Sequence, residues 1–238
     1  MWNSRGAANP HFRRHFADMV REHNPTFVII METRIAGPRA KRLSEELGFT
    51  NSFVADAVGF AGGIWLLWND DIFHCDILGS TRQEIHASIQ VHPNYTPFIL
   101  SAIYASPDFD IRKDLWDNLA LLADSHNEPW LMMGDFNEVL FSTEKSGGQP
   151  INWNKASKFK DCIDHCGMVD LGFSGSCYTW TNRRQPGGLI RERLDRCLAN
   201  AAWTLAFPEV SVKHLVRVHS DHCPILLNSD PSPSLSLD

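Results

Sequence analysis

Two short polar blocks in this sequence hold the side chains best suited to chemistry. Gly134-Asp135-Phe136-Asn137 follows the apolar run Trp130 to Met133, and Ser220-Asp221-His222 precedes Ile225-Leu226-Leu227. Asp135 and Asn137, on alternate positions beside a buried strand, offer a proton acceptor and a neutral amide. Asp221 and His222 offer a metal ligand and a phosphate partner. Two more pairs belong with them by type: Trp2-Asn3 at the start, and Glu32-Thr33 just past the apolar run Phe27 to Met31. Phosphodiester hydrolysis asks for a set of this kind. A water must be oriented or deprotonated, charge on the phosphate oxygens stabilised, and the leaving oxygen assisted. Glu, Asp, Asn and His without a concentrated Cys/His cage suit Mg²⁺, which prefers oxygen ligands and takes only one or two carboxylates.

Each residue also has a plainer reading when taken singly. Glu32 is then a strand-end surface acid, and Asp135 and Asn137 an Asx turn after a strand. Tyr104, before Ala105-Ser106-Pro107, is a strand-end aromatic with a solvated hydroxyl, and a lone His222 is a satisfied structural histidine. Only the set as a whole favours the functional reading. Two further patterns resolve toward structure. His11 and His15, one helical turn apart, make half of a zinc site without a third ligand nearby, so a solvated helix face is favoured. Cys162 and Cys166 fall on one apolar helix face with Phe159 and Ile163, which makes them core thiols. Trp153 and Trp180 read as core or edge packing before they read as DNA contacts.

The elements that must position these groups are legible from periodicity and punctuation. Asn9-Pro10 caps a helix with Phe12, Phe16, Met19 and Val20 at helical spacing, stopped by Asn24-Pro25. Further helices are predicted over Pro38 to Leu47, Asp110 to Ala123 and Asn154 to Cys166. Strands are predicted at Phe27 to Met31, Ile64 to Trp68, Ile72 to Leu78, Ile85 to Val91, Phe98 to Tyr104, Trp130 to Met133, Tyr178 to Thr181, Arg193 to Leu198, Val210 to Val218 and Pro224 to Leu227. Turns fall at His92-Pro93-Asn94 and Gly187-Gly188. Strands outnumber helices and several are antiparallel neighbours. The expected fold is α/β (α+β): two packed mixed β-sheets flanked by helices, a four-layered sandwich, in one domain over residues 1–228 with a frayed Ser/Pro-rich tail at 229–238.

Composition agrees. At 43% hydrophobic and 21% charged, 238 residues can build a large core, and global disorder is excluded. The longest apolar runs are too short to span a bilayer, and the N-terminus has no apolar signal core. Six scattered cysteines read as reduced thiols. A net charge of −6 argues mildly against a simple nucleic-acid binder. Yet Lys155, Lys158, Lys160, Arg183, Arg184, Arg191, Arg193 and Arg196 fall in one stretch, and a basic face drawn from it suits phosphates.

Several blocks in order carry a family resemblance across nearly the whole chain: Trp2-Asn3-Ser4-Arg5-Gly6, Met31-Glu32-Thr33-Arg34, Gly62-Gly63-Ile64, Gly134-Asp135-Phe136-Asn137, Tyr178-Thr179-Trp180-Thr181-Asn182, Glu192-Arg193-Leu194-Asp195-Arg196 and Ser220-Asp221-His222. The sequence resembles the endonuclease/exonuclease/phosphatase superfamily, with its DNase I-like fold and relation to AP endonucleases, and within it the endonuclease domain of plant non-LTR (LINE-type) retrotransposons. That resemblance implies a metal site of Glu32, Asn3 and Asp221 for Mg²⁺, with Mn²⁺ as the alternative. It implies catalytic roles for Asp135 (orienting or deprotonating water), Asn137 and Tyr104 (toward the phosphate), His222 (on the scissile phosphate) and Asp195 (holding the imidazole). Arg183, Arg184 and Arg193 are then the expected nucleic-acid contacts. DNA is the expected partner, with no membrane and no protein partner indicated, and a nuclear location follows only weakly from a DNA substrate.

Two departures sharpen the reading. Arg5 stands where the abasic-site repair branch has an acid, and Glu192 where that branch has a pocket-lining aromatic. Both favour general DNA nicking over abasic-site repair. The apolar strand that leads into Trp-Asn in the family is missing or very short here. The expected function is therefore a Mg²⁺-dependent, DNA-nicking endonuclease of retroelement origin; the alternative is a non-catalytic remnant that at most binds nucleic acid.

Overall fold

The apolar run Phe27–Met31 pairs on both sides in a computed structural model that describes residues 1–59, 61–91 and 96–229. It forms β2, flanked by β1 (Trp2–Asn3) in parallel and by β4 (Ala61–Trp68), which in turn pairs with β3 (Asn51–Val58). The second sheet has six strands: β5 (Phe73–Ser80), β6 (Glu84–Val91), β7 (Phe98–Tyr104), β8 (Trp130–Asp135), β10 (Met168–Asp170) and β14 (Asp195–Asn200). Their order is β10-β14-β8-β7-β6-β5. A ribbon of β9 (Lys145–Ser146), β12 (Trp180–Thr181) and β13 (Arg191–Glu192) lies beyond it. A last sheet of β11 (Ser174–Gly175), β15 (Ser211–His214) and β16 (Ile225–Asn228) joins the first through Met1. The Met1 amine donates to the Ile225 carbonyl at 2.7 Å, and the Ile225 amide returns a bond to Met1 at 2.9 Å.

Layering follows from alternation along the strands. Ile29, Met31, Ile64 and Leu66 face Ala87, Ile89, Leu131 and Met133 between the sheets. The other face of the first sheet, with Val28, Ile30, Trp65 and Leu67, is covered by α1 (Pro10–His23) and α2 (Gly37–Glu45). The outer face of the second, with Ile99, Ile103 and Met132, is covered by α3 (Phe109–Ser125) and α4 (Trp153–His165). The result is the four-layered sandwich expected. Cys162 and Cys166 are buried beneath α3, as helix periodicity predicted.

The differences have local causes. β3 was not predicted: most of its residues are half-buried, so no alternation shows in the sequence. A short helix, α5 (Ala201–Ala206), is equally invisible, because six residues give too little period. The strand expected over Val210 to Val218 shrinks to β15, and that over Tyr178 to Thr181 to β12. The turn at His92-Pro93-Asn94 and the tail from residue 230 lie outside the described residues. Trp153 is 62% exposed at the start of α4, which corrects its reading as a packed residue. The first strand, β1, is two residues long. It covers only Ile30 and Met31 of β2, and a largely apolar cavity of about 380 Å³ lies alongside Phe27, Val28 and Ile29, reaching Phe98, Phe207 and Leu227.

Candidate active site

Adjacent strand ends bring the polar residues together. In register, Asn3 of β1 stands opposite Met31, the residue before Glu32. Asp135 of β8 stands between Tyr104 of β7 and Asp195 of β14. Gly134 is required here, because a Cβ would lie 2.0 Å from the Ile103 carbonyl oxygen. Asp135 therefore follows the one residue that allows β7 and β8 to close up. Asn3 is fully buried, and Asp135, Asp195 and His222 are within 2% of it.

Asp135 is the hub. Its Oδ2 accepts from Asn3 Nδ2 at 2.8 Å and from Asn137 Nδ2 at 3.3 Å, and its Oδ1 accepts from the Asn137 amide at 3.0 Å. The Asx turn is thus real and part of the site. Asn137 also donates from Nδ2 to the Ala105 carbonyl at 2.7 Å. Its amide is committed to holding Asp135, which departs from the expectation that it points at a phosphate. His222 presents Nδ1 to Asp195 Oδ2 at 2.8 Å and Nε2 toward Asp135 Oδ2 at 3.7 Å. One ligand atom from each of Asp135, Asp195 and His222 lies within 4.8 Å of the others.

Burial and mutual charge set the protonation states. Burial pushes the Asp135 carboxyl up to about 7: the His222 ring opposes the rise and Asp195 reinforces it. Burial disfavours charge on His222, but the Asp195 and Asp135 carboxylates outweigh it and hold the imidazole at about 9. Burial, then the carboxylates of Glu32 and Asp135, push the Tyr104 hydroxyl far up, so it stays a neutral donor.

Glu32, 3% exposed, lies beside this hub and is clasped by two arginines. Arg5 Nη1 donates to both carboxylate oxygens at 3.0 Å, and Arg34 donates from Nε to Oε1 at 3.0 Å and also from Nη2. Arg5 Nε reaches on to Asp221 Oδ1 at 3.1 Å, so one guanidinium bridges both expected carboxylate ligands. The Arg5 amide donates to Asn3 Oδ1 at 3.2 Å. Two carboxylates and an amide oxygen are hard donors of the type a divalent cation takes, but here both carboxylates are already paired with guanidinium groups, which a cation would have to displace.

Several supporting residues escaped the sequence reading. The Thr179 hydroxyl accepts from the Leu194 and Asp195 amides, both at 3.0 Å, and pins the strand end that carries Asp195. Trp180 Nε1 donates to Asp221 Oδ2 at 3.0 Å. Ser220 Oγ donates to the Asn3 carbonyl at 2.7 Å, tying the two ends of the chain across the site. All three lie inside quoted motifs, whose small hydroxyls and ring N–H were the available signal.

The basic stretch does not form one face. Arg193 is 7% exposed, donates to Glu144 at 3.2 Å and Asp170 at 2.8 Å, and stacks over Phe173. Its expected role as a nucleic-acid contact is corrected: its charge is neutralised inside the protein. Arg196 is buried in the same cluster. Arg183 and Arg184 remain exposed on the loop after β12.

Fold and site together define a phosphoester-hydrolase class. Residues 2–222 match the Endonuclease/Exonuclease/phosphatase family, and the chain belongs to it. The family's enzymes generally use a divalent metal. The AP endonuclease LMAP from Leishmania major has the same fold, with a TM-score of 0.70 at 14% identity over 94% of this chain and 84% of that one. A 3' phosphatase from Neisseria, NExo, bound to a product DNA hairpin, gives 0.69 at 17% over 96% and 97%. The endonuclease domain of TRAS1, a telomere-specific non-LTR retrotransposon, gives 0.67 at 15% over 91% of each chain. At these identities the likeness is one of fold. No curated protein matches the chain.

Proposed function

We propose that this protein is a Mg²⁺-dependent phosphodiesterase that nicks DNA, derived from a retroelement endonuclease. One observation supports the reading most: the buried Asn3–Asp135 and His222–Asp195 bonds converge beside Glu32 at the ends of strands from both sheets. The motif order and the fold likeness to a retrotransposon endonuclease domain and to DNA-acting enzymes support the substrate.

Glu32 would hold the cation, with Asn3 Oδ1 and Asp221 beside it; Mn²⁺ would serve in the same place. The bound ion would supply Lewis-acid stabilisation of charge on phosphate oxygens. Asp135, ionised above about pH 7, accepts the proton of the attacking water. Asn3 and Asn137 position that carboxylate. His222, kept cationic by Asp195, stabilises charge on the scissile phosphate, and the neutral Tyr104 hydroxyl donates to it. Arg183 and Arg184 offer exposed cations to the DNA backbone.

Nicking of supercoiled plasmid, with Mg²⁺ and with EDTA, tests the proposal against Glu32→Gln and His222→Ala, with circular dichroism as the check on folding. Mg²⁺-dependent nicking lost in both variants is the expected result. A folded wild type that never nicks would establish the non-catalytic alternative, which the clasp of Arg5 and Arg34 on Glu32 favours.

A further inference from the structure

Three histidines that the proposed reaction does not use come together at the surface. His11 and His15 stand one turn apart on α1, so their rings share a helix face. The chain returns far downstream to set His219 against both: its ring centre lies 5.9 Å from that of His11 and 5.6 Å from that of His15. The sequence alone leaves this pair without a third ligand; the fold supplies one.

These rings differ from the other histidines. Among the described residues, His23, His74, His86, His165 and His222 face a carboxylate, His214 meets the Ser176 carbonyl and His126 accepts from the Glu128 amide. The rings of His11 and His15 each lie against the ring of His219 instead. The backbone of His219 is held in the left-handed region, φ +55°, and its carbonyl accepts from Arg183. The third ring is thus presented by a fixed loop.

The ring-centre separations of His219 from His11 and from His15 lie near what an imidazole-bound metal requires, although the three rings as they stand do not bring their nitrogens within 4.8 Å of one another. A Zn–N bond of about 2.0–2.1 Å places the ion about 3.2 Å from each ring centre, and tetrahedral geometry then separates two ring centres by about 5.2 Å. The observed separations exceed that by about half an ångström. The rings are now partly stacked, and rotation about χ1 and χ2 turns them edge-on to a common centre. We propose that His11, His15 and His219 form a three-histidine site for a Zn²⁺-type transition-metal ion, with the fourth position open to water. Imidazole suits Zn²⁺, Ni²⁺ and Cu²⁺, whereas the oxygen set around Glu32 suits a hard ion. An ion held here would tie α1 to the loop that carries Asp221 and His222.

Zn²⁺ titration of the whole chain with Mg²⁺ in excess tests this, read by calorimetry, by thermal unfolding and by the visible absorption of tetrahedral Co²⁺. Stoichiometric binding and a raised Tm are expected. His15→Ala, and His219→Asn with its tolerance of a left-handed backbone, should weaken binding by roughly tenfold or more, since even outer-shell partners of a metal are worth that much. Glu32→Gln and His222→Ala should bind as the wild type does. The proposal is overturned if the wild type does not bind Zn²⁺ or if the His15 and His219 variants bind unchanged. It is equally overturned if His222→Ala abolishes binding, which would assign the ion to Asp135, Asp195 and His222.

Discussion

Two charge clusters, buried but for Asp170 at the edge of the first, lie close together in this fold and are built to opposite ends. In one, Arg193 and Arg196 meet Glu144 and Asp170, two cations with two anions. Arg196 Nη1 donates to Glu144 at 2.7 Å, and Phe159 and Phe173 lie against the guanidinium faces. Burial alone would raise the two carboxyls, but the arginines outweigh it and hold both below the usual range. In the other, Asp135 and Asp195 share one imidazole. Burial prevails at Asp135, which rises to about 7, and the carboxylates prevail at His222, which reaches about 9. A balanced cluster fixes its protonation states far from neutrality, whereas an unbalanced one leaves groups that titrate near the working pH.

Substitution should separate the two sharply. The largest effect is expected on catalysis: Asp135→Asn should lower nicking by about 10²–10⁴-fold while the Tm holds or rises, because a buried carboxyl is relieved of its charge. Plasmid assays alongside thermal unfolding check both halves, and a parallel loss of Tm would erase the distinction. Next, Glu144→Ala should cost about 3–5 kcal/mol of stability by leaving two buried arginines with only Asp170 to share, read by denaturant unfolding. A variant as stable as the wild type would show that the cluster is not structural.

The pH response is intermediate in size. Nicking should rise as Asp135 ionises near pH 7 and fall as His222 loses its proton near pH 9, a bell belonging to the coupled pair. Asp195→Asn should bring the alkaline limb to lower pH; an unmoved limb would remove His222 from the scheme. Stability carries the matching sign. The folded pKa of His222 lies above its ordinary 6.5, so its contribution is complete below that pH and lost as the pH climbs through about 9. A Tm that is flat between those values would contradict it. The smallest effect is expected at the surface. Arg184→Ala should weaken DNA binding modestly and reduce the salt slope by about 1, measured by anisotropy at several salt concentrations.

How much of this was legible in the sequence depended on the reach of each signal. The long elements announce themselves by local periodicity and caps: Asn9 accepts from His11 at the start of α1, and Asn24 ends that helix in the left-handed region. Strand pairings within the second sheet bring Asp135, Asp195 and Tyr104 side by side, and the ordered motifs foretold their company but no distance between them. What stayed hidden depends on partners far along the chain. Arg193 looks like any exposed cation until Glu144, 49 residues away, is folded beneath it. Thr179 is an ordinary strand residue until its hydroxyl meets two amides near Asp195. His219 stands alone until α1 is folded beside it.

Left-handed backbone supplies a last consequence. Among the described residues, Arg5, Glu32, Arg34, Asn137, Arg183 and His219 all hold positive φ without being glycine, and all lie in loops that carry or adjoin the site. Each such conformation costs on the order of 1 kcal/mol in a residue with a Cβ. Glycine would relieve that cost at any of the six and take away the side chain that stands there. A lineage drifting under selection for stability alone would move toward glycine at these positions. A lineage that keeps arginine, glutamate and histidine there carries a standing trade-off of robustness against function. Sequences related to this one therefore carry a record at six positions of which pressure has acted on them.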